Sequence, residues 1–476
     1  MAQKLYRIQN FLGLNQAIDE GSLDAAYSPD CANIDTSCGR LETAKGHTKA
    51  IAALIPGRDN FLSLYVGEIG TAMCYIAITR KYIYSYDMTN ISWSTLYTFT
   101  APLVQNRVDY INATCDGEDC LLIATGETQL LKCTGTACTA FGSEELGSNH
   151  LCNYVAMYQN RLFSGGESTA PTRLCYSQPC TLAGGIENWS ESTESSELSG
   201  GYIDIGPTES DPICGIKALR NQLLIFKEKS LYRLIGDRPS NFTVERLCDL
   251  NSRVAHTAFV ARGDGGFFMA RDALYVYNGV NAYRSNDADH IKKILGTVNT
   301  ADCRAACTSN KLVFKLDGPL LRDYCVEYDI NRGCYMLRTG FMADAFCEYK
   351  GEVYMINSNR YIYLYDNSDT YDGVPIEAYW KTPCTDLGDK GEIKGLVELY
   401  IRGESNTGSS ICVETYSDGK QELYTIDGLD SPQVVKDVRL NGEGRTFAVR
   451  VSNLNGGHFS ICAGLELLLS CRRRVN

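Results

Sequence analysis

The sequence predicts an all-β protein built on a β-propeller, with an N-terminal extended arm and a C-terminal β-sandwich. Three observations carry this reading. Short apolar/polar alternations are punctuated by turn residues. A strand pattern rich in tyrosine recurs at a near-constant interval. The 30 tyrosines are the one unusual count in an otherwise ordinary globular composition, and a tyrosine ring suits a half-buried sheet whose hydroxyl reaches an edge.

The unit is clearest over residues 199–236. Tyr202 to Ile205 alternate as a strand, and Gly206, Pro207 and Pro212 end it. Ile213 to Ala218 is a second strand, Arg220-Asn221 a two-residue turn and Gln222–Lys227 a third strand. Glu228 to Ser230 turn the chain again, and Leu231 to Ile235 completes an antiparallel meander. A lone meander cannot bury its face, so it must repeat. The closing pattern returns as YIYSYD (Tyr82–Asp87), LYVYNG (residues 274–279), YCVEYD (residues 324–329) and YIYLYD (residues 361–366). Weaker copies are QLLKCTG (residues 129–135) and RLCYSQ (residues 173–178). The endings at Tyr86, Leu131, Tyr176, Leu234, Tyr277, Tyr328 and Tyr365 lie roughly 46 residues apart, the length of a four-stranded propeller blade. About seven blades are expected, and the uneven gaps also fit six or eight.

Residues 1–58 do not follow the repeat. Leu12, Leu14, Ile34 and Leu41 are apolar anchors in a glycine-punctuated segment with a small hairpin near Ile34 to Leu41. This reads as an arm lying across another surface, where it completes the ring or reaches a neighbouring subunit. The propeller is expected over residues 59–372. From residue 373 to 476 the strands lengthen: IKGLVELYIRG, SICVETYSDGK, ELYTI, TFAVRVSNL and FSICAGLELLLS. Ser417-Asp418-Gly419 makes a hairpin turn, Leu465 to Leu469 a central strand, and the whole a sandwich packed on the propeller.

A net charge of −12 and a pI near 5.1 argue against a nucleic-acid-binding surface, and the one basic run is Arg472-Arg473-Arg474 at the tail. Residues 1–9 have no apolar signal core and no apolar run reaches membrane-spanning length, so the expectation is a chain made in a cytosol that stays soluble, without membrane association. The 21 cysteines are therefore expected chiefly as free thiols. Cys115/Cys120, Cys133/Cys138 and Cys175/Cys180 share a spacing that would place each pair across a hairpin, with a disulfide closed in air or half a zinc site as alternatives. Cys303 and Cys307 read as core.

The search for chemistry is mostly negative. His47, His150, His256, His290 and His458 are scattered, and no metalloprotease, nucleophile-elbow, Walker or sialidase-box motif occurs. Asp287, Asp289 and His290 read as the acidic start of a short helix, with a metal site as the alternative. Asp366, Asp369 and Asp372 read as an Asx-rich turn, with calcium as the alternative. No catalytic, cofactor-binding or metal-binding residue is assigned, and no cofactor is expected.

The opening Asn10-Phe11-Leu12-Gly13-Leu14-Asn15, followed by Ala32-Asn33-Ile34-Asp35 and Gly39-Arg40-Leu41, resembles the start of many virion structural proteins of tailed bacteriophages. The central run adds Asn188-Trp189, YIDIG, ICGIKALRNQLLIFKEKSLYRLIG, FTVERL, a Gly-Asp-Gly-Gly turn, FFMARDALYVYNG and a helical piece near Asp289 to Leu295. Over nearly its whole length the chain is similar to the tail-nozzle or packaged-DNA-stabilisation proteins of short-tailed phages. The resemblance implies a propeller with an added β-domain, six copies of which ring the channel below the portal. It implies a non-enzymatic virion protein of the tail or neck, assembled in the host cytoplasm as a homohexamer. Its partners would be portal, adaptor and tail-fibre proteins, and DNA would pass through transiently and without sequence preference. An acidic lumen would let DNA slide. The alternative is a glycan-binding or glycan-degrading propeller; a WD40-type scaffold lacks its Gly-His and Trp-Asp signatures here. The polar stretches at residues 190–201 and 237–241 are candidates for mobile contact loops.

Overall fold

The structure, a computed structural model, describes residues 2–141, 151–182, 184–318, 324–388, 390–406 and 409–472. His150, Arg473 and Arg474 lie outside the described residues. The chain is all-β apart from short 3-10 turns and a single-turn helix, Lys292–Leu295, among the described residues.

Six four-stranded antiparallel meanders follow one another, over residues 61–98, 109–140, 154–204, 213–249, 259–284 and 299–338. A further sheet starts in the same way with Ala345–Tyr349, Glu352–Ile356 and Ile362–Ser368, then takes its next strand, Gly46–Lys49, from the N-terminal segment. Each tyrosine-rich ending falls on the third strand of its own sheet. The expected meander over residues 199–236 is, however, one strand out of phase. Gly201–Asp204 closes the preceding sheet, and Ile213–Leu219 opens the next, which ends with Thr243–Asp249. Alternation marks strands but not partners, and the Gly206 to Pro212 break is the crossing between sheets.

Neighbouring sheets meet along or beside their first strands, and Ala345–Tyr349 packs back on Phe61–Ile69. Their apolar side chains form a circular series of cores. One holds Ile76 and Leu121 of the first two sheets, the next Leu122 and Leu162, and the next Phe163 and Ile225. Val313 and Met355 share another, and Ala345 and Leu64 close the circle. This is a β-propeller arrangement. Burial explains the sequence pattern. Gln222–Lys227 and Cys325–Asp329 are buried at every position because sheets cover both faces, whereas the outer strand Thr243–Asp249 is exposed or half-buried throughout.

The terminal region forms two more sheets. One runs Ile34–Asp35, Leu41–Thr43, Phe459–Arg472, Ile393–Ser405 and Asp430–Arg439, with Ala2–Ile8 also on Phe459–Arg472 and Glu443–Gly444 on Ile393–Ser405. The other runs Asp30–Ala32, Tyr379–Lys381, Phe447–Asn453, Ser410–Ser417 and Lys420–Asp427. Leu399, Ile401 and Leu467 of the first share one core with Val413, Val449 and Trp380 of the second. Asp418 (φ 46°) and Gly419 (φ 82°) both sit in the left-handed region, which a two-residue hairpin turn of the primed type needs.

The cysteine pairs diverge from their common spacing. Cys133 and Cys138 are register partners with Cα atoms 4.1 Å apart and form a disulfide, not the free thiols expected. Cys115 faces Glu118 and Cys120 faces Ala113, so these thiols meet only diagonally, at 3.3 Å. Cys175 faces Tyr202, and Cys180 lies beyond the strand, exposed. Cys303 and Cys307 are buried, as expected of core residues.

Residues 190–201 are tied down from inside. The guanidinium of Arg161, 1% exposed, donates to the carbonyls of Ser177 (2.6 Å), Glu197 (2.5 Å) and Ser199 (2.7 Å). Charge-assisted bonds of this kind are worth about 1.5–3 kcal/mol. Arg161→Met is therefore expected to speed limited proteolysis within this loop by about tenfold or more. Unchanged cleavage would mean that other contacts hold it.

Candidate functional site

The first strands surround a cavity of about 850 Å³. Six of these sheets contribute lining from their first strands or the turn before them: Tyr65 and Glu68, Asp109 and Asn112, Lys217, His256 and Phe259, Arg304, and Glu348 with Tyr349. The cavity is electrostatically divided. At one set of walls Glu68 accepts from the Tyr349 hydroxyl (2.6 Å) and pairs with Lys350 (3.0 Å), and Asp119 accepts from Thr114 (2.6 Å). Asn112 donates to the Tyr65 hydroxyl (2.9 Å). Burial raises the Glu348 carboxyl against the attraction of Arg262.

A second group of lining residues carries two cations, Lys217 and Arg304, beside the Asp109 carboxylate. The Lys217 ammonium stands 3.4 Å from Asp109, whose second oxygen accepts from the Val155 amide (3.1 Å). Burial raises the Asp109 carboxyl, and Lys217 opposes that shift. A bulge between Asn299 and Arg304 turns the first strand of the sixth meander, and Arg304 donates to the carbonyls of Leu62 (3.0 Å) and Asn106 (2.9 Å). His256, 1% exposed, packs on Tyr154 with ring centroids 5.0 Å apart and lies 3.8 Å from Asp109. Burial, together with Lys217, Arg107, Arg304 and Arg253, holds its pKa well below the usual histidine value, so the ring is neutral.

A second polar cleft, about 580 Å³, lies where the N-terminal hairpin meets the sixth and seventh sheets. Its floor is ionic. Lys311 binds Asp35 directly and Asp366 at 3.9 Å. Glu327 accepts from the Tyr365 hydroxyl and stands 3.7 Å from Arg338, which also donates to the Lys45 carbonyl; both charged groups are fully buried. Three acids thus face two bases. Burial and the charge of Glu327, against Lys311, push Asp366 up to about 6.

This corrects the calcium alternative. Asp366 turns to Lys311, Asp372 pairs with Lys49 (2.9 Å) and Asp369 is exposed, so the three carboxylates do not converge. Asp287 stands at the start of the 3-10 turn Ala288–Ile291 but makes no capping hydrogen bond with its side chain, and Asp289 pairs with Arg284 (2.6 Å). His290 packs on Tyr27 at 5.2 Å. Among the described residues no group of His, Cys, Asp and Glu is placed to hold a metal ion. The cavity residues Asp109, Lys217, His256 and Arg304 escaped the sequence reading because they come from four different sheets. The one local signal is a polar side chain on a strand that packs inward.

Ring and cavity together define a β-propeller protein with strands of its N-terminal segment built into the last propeller sheet and both terminal sheets. No protein-family model matches the chain, and no curated protein matches it in sequence. In structure it is similar to the computationally designed Ika8 protein, at 9% identity and a TM-score of 0.39, over 68% of this chain and 100% of that one. It is similar to BamB from Moraxella catarrhalis, at 9% identity and a TM-score of 0.41, over 76% and 98% of the two chains. The CNH domain of AfRom2 aligns at 10% identity and a TM-score of 0.42, over 67% and 99%. At these values no property of those proteins carries over.

Proposed function

We propose that this chain is a non-enzymatic structural protein of a tailed-bacteriophage virion, a subunit of a hexameric nozzle or adaptor ring in the tail or neck. In this reading the seven propeller sheets are seven blades and the two terminal sheets a β-sandwich. The observation that supports it best is where the residues of the resemblance lie: they weld the parts of the chain together. Phe11 is fully buried against Trp380, and the Leu14 amide donates to the Tyr335 carbonyl (2.6 Å). A Cβ on Gly13 would come 2.0 Å from that carbonyl oxygen, so only glycine lets the thread pass. Asn33 (φ 55°) donates to Thr339 (3.1 Å) and the Glu377 carbonyl (2.8 Å), and accepts from the Thr339 amide (2.8 Å) and the Tyr371 hydroxyl (3.0 Å). Motifs spent on joining sheets suit a rigid wall that bears load.

The edge strands of the two terminal sheets, Lys420–Asp427 and Asp430–Arg439, offer apolar side chains for subunit contact, Leu423 at 65% exposure and Val434 at 50%. Portal, adaptor and fibre proteins would dock on the ring, and the acidic balance would favour passage of DNA over adhesion. Quantitative mass spectrometry of purified virus particles tests the reading. On the order of six or twelve copies per particle are expected for a ring component. Absence from particles, with the protein free in the lysate and retained on glycan resin, would replace it with a glycan-active propeller.

A further inference from the structure

The propeller cavity carries a feature that a purely mechanical role leaves without use. Both ring nitrogens of His256 lack a hydrogen-bond partner among the described residues, although the side chain is almost wholly buried and lines the cavity. An unmet buried donor costs about 1–3 kcal/mol. Lys217 and Arg304 line the same walls. Arg107 and Arg253 stand behind them, donating to the Ala301 carbonyl (3.4 Å) and the Tyr154 hydroxyl (3.3 Å), and the Arg253 Nε is likewise without a partner. Asp109 is the carboxylate in contact with Lys217 and His256.

We infer that these walls of the cavity bind a small phosphate-type dianion, either free phosphate or a phosphate monoester, between Lys217, Arg304 and His256. The chemistry follows from what each group offers. Lys217 and Arg304 supply charge, and the neutral His256 ring supplies an N–H aimed at an acceptor. A tetrahedral oxyanion brings acceptor oxygens on several sides and so can meet donors from three separate sheets. Glu68, Asp119 and Glu348 also line the cavity, but each is engaged by its own neighbours, as described above. The cavity volume exceeds that of phosphate alone and leaves room for the organic part of an ester.

The test is calorimetric titration of the full chain at low ionic strength with inorganic phosphate and with glycerol 3-phosphate. Saturable binding is expected with one or both. Equal affinities identify the free anion as the ligand, and tenfold tighter binding of glycerol 3-phosphate identifies an ester. Lys217→Met is expected to weaken binding by about tenfold or more. Asp109→Asn, which keeps an acceptor for the Val155 amide but removes the repelling charge, is expected to tighten it several-fold. Lys420→Met, exposed on the edge of a terminal sheet, should leave the affinity unchanged. Opposite responses at Lys217 and Asp109 cannot arise from general loosening of the fold, and if Lys217→Met does not fold, the Asp109→Asn response decides. No binding of either ligand at about 10 mM would overturn the inference, as would equal weakening by both substitutions. Neither result bears on whether the protein is found in virus particles.

Discussion

Replacing Phe11 by alanine is expected to lower the stability of the protein by about 3–5 kcal/mol. The ring is fully buried and meets Trp380 edge to face at 5.1 Å. Its backbone carbonyl accepts from Arg332 (3.0 Å), and its neighbour Leu12 donates to Ala26 (2.7 Å). These bonds fix the thread, so the surroundings have little freedom to collapse into the space the ring leaves. Chemical denaturation followed by tryptophan fluorescence reads the effect, because Trp380 is itself a probe of this junction. Phe99→Ala removes an equally buried ring from the core between the first two sheets. It should cost a similar amount without changing the native Trp380 signal. A Phe11→Ala protein within about 1 kcal/mol of the parent would mean that the thread does not join propeller and terminal sheets energetically.

Glu327→Gln is expected to cost about 3 kcal/mol or more, despite changing so few atoms. The glutamine oxygen can still accept from Tyr365, so what is lost is charge. Arg338 then keeps a fully buried guanidinium that donates to the Lys45 carbonyl and lies over the Tyr365 ring, neither of which carries a balancing charge. Arg338→Gln alone leaves the Glu327 carboxylate buried and should be similarly harmful. The double substitution removes both charges and should recover part of the loss. A double-mutant cycle by urea denaturation measures this, and a coupling energy below about 0.5 kcal/mol would refute the claim that the pair acts as a unit.

Much of the propeller was legible because its signals are local. YIYSYD and YIYLYD lie on third strands, since a tyrosine-rich run next to Asp describes a strand between two buried faces and its turn. Asp418-Gly419 announced its hairpin through backbone chemistry alone. What could not be read is pairing across hundreds of residues. Ala2–Ile8 pairs with Phe459–Arg472, Asp30–Ala32 with Tyr379–Lys381, and Gly46–Lys49 with Ile362–Ser368, and nothing within those short segments names the partner. The strand Asp430–Arg439 was missed because DSPQVVKDVR alternates poorly and faces solvent. His256 looked like any scattered histidine until the fold placed it beside Lys217 and Asp109.

The strand Gly46–Lys49 gives biosynthesis a fixed order. It leaves the ribosome well before its partner Ile362–Ser368, which is translated some 310 residues later. At roughly 5–20 residues per second the wait is about 15–60 s. During that time every intermediate meander has its strands in hand, while the last sheet lacks both its partner and its covering neighbour. Ring closure is therefore a late event tied to the translation of residues 345–368, and a transcript interrupted before them yields an open arc with a free strand edge, the form most prone to pair with its own kind.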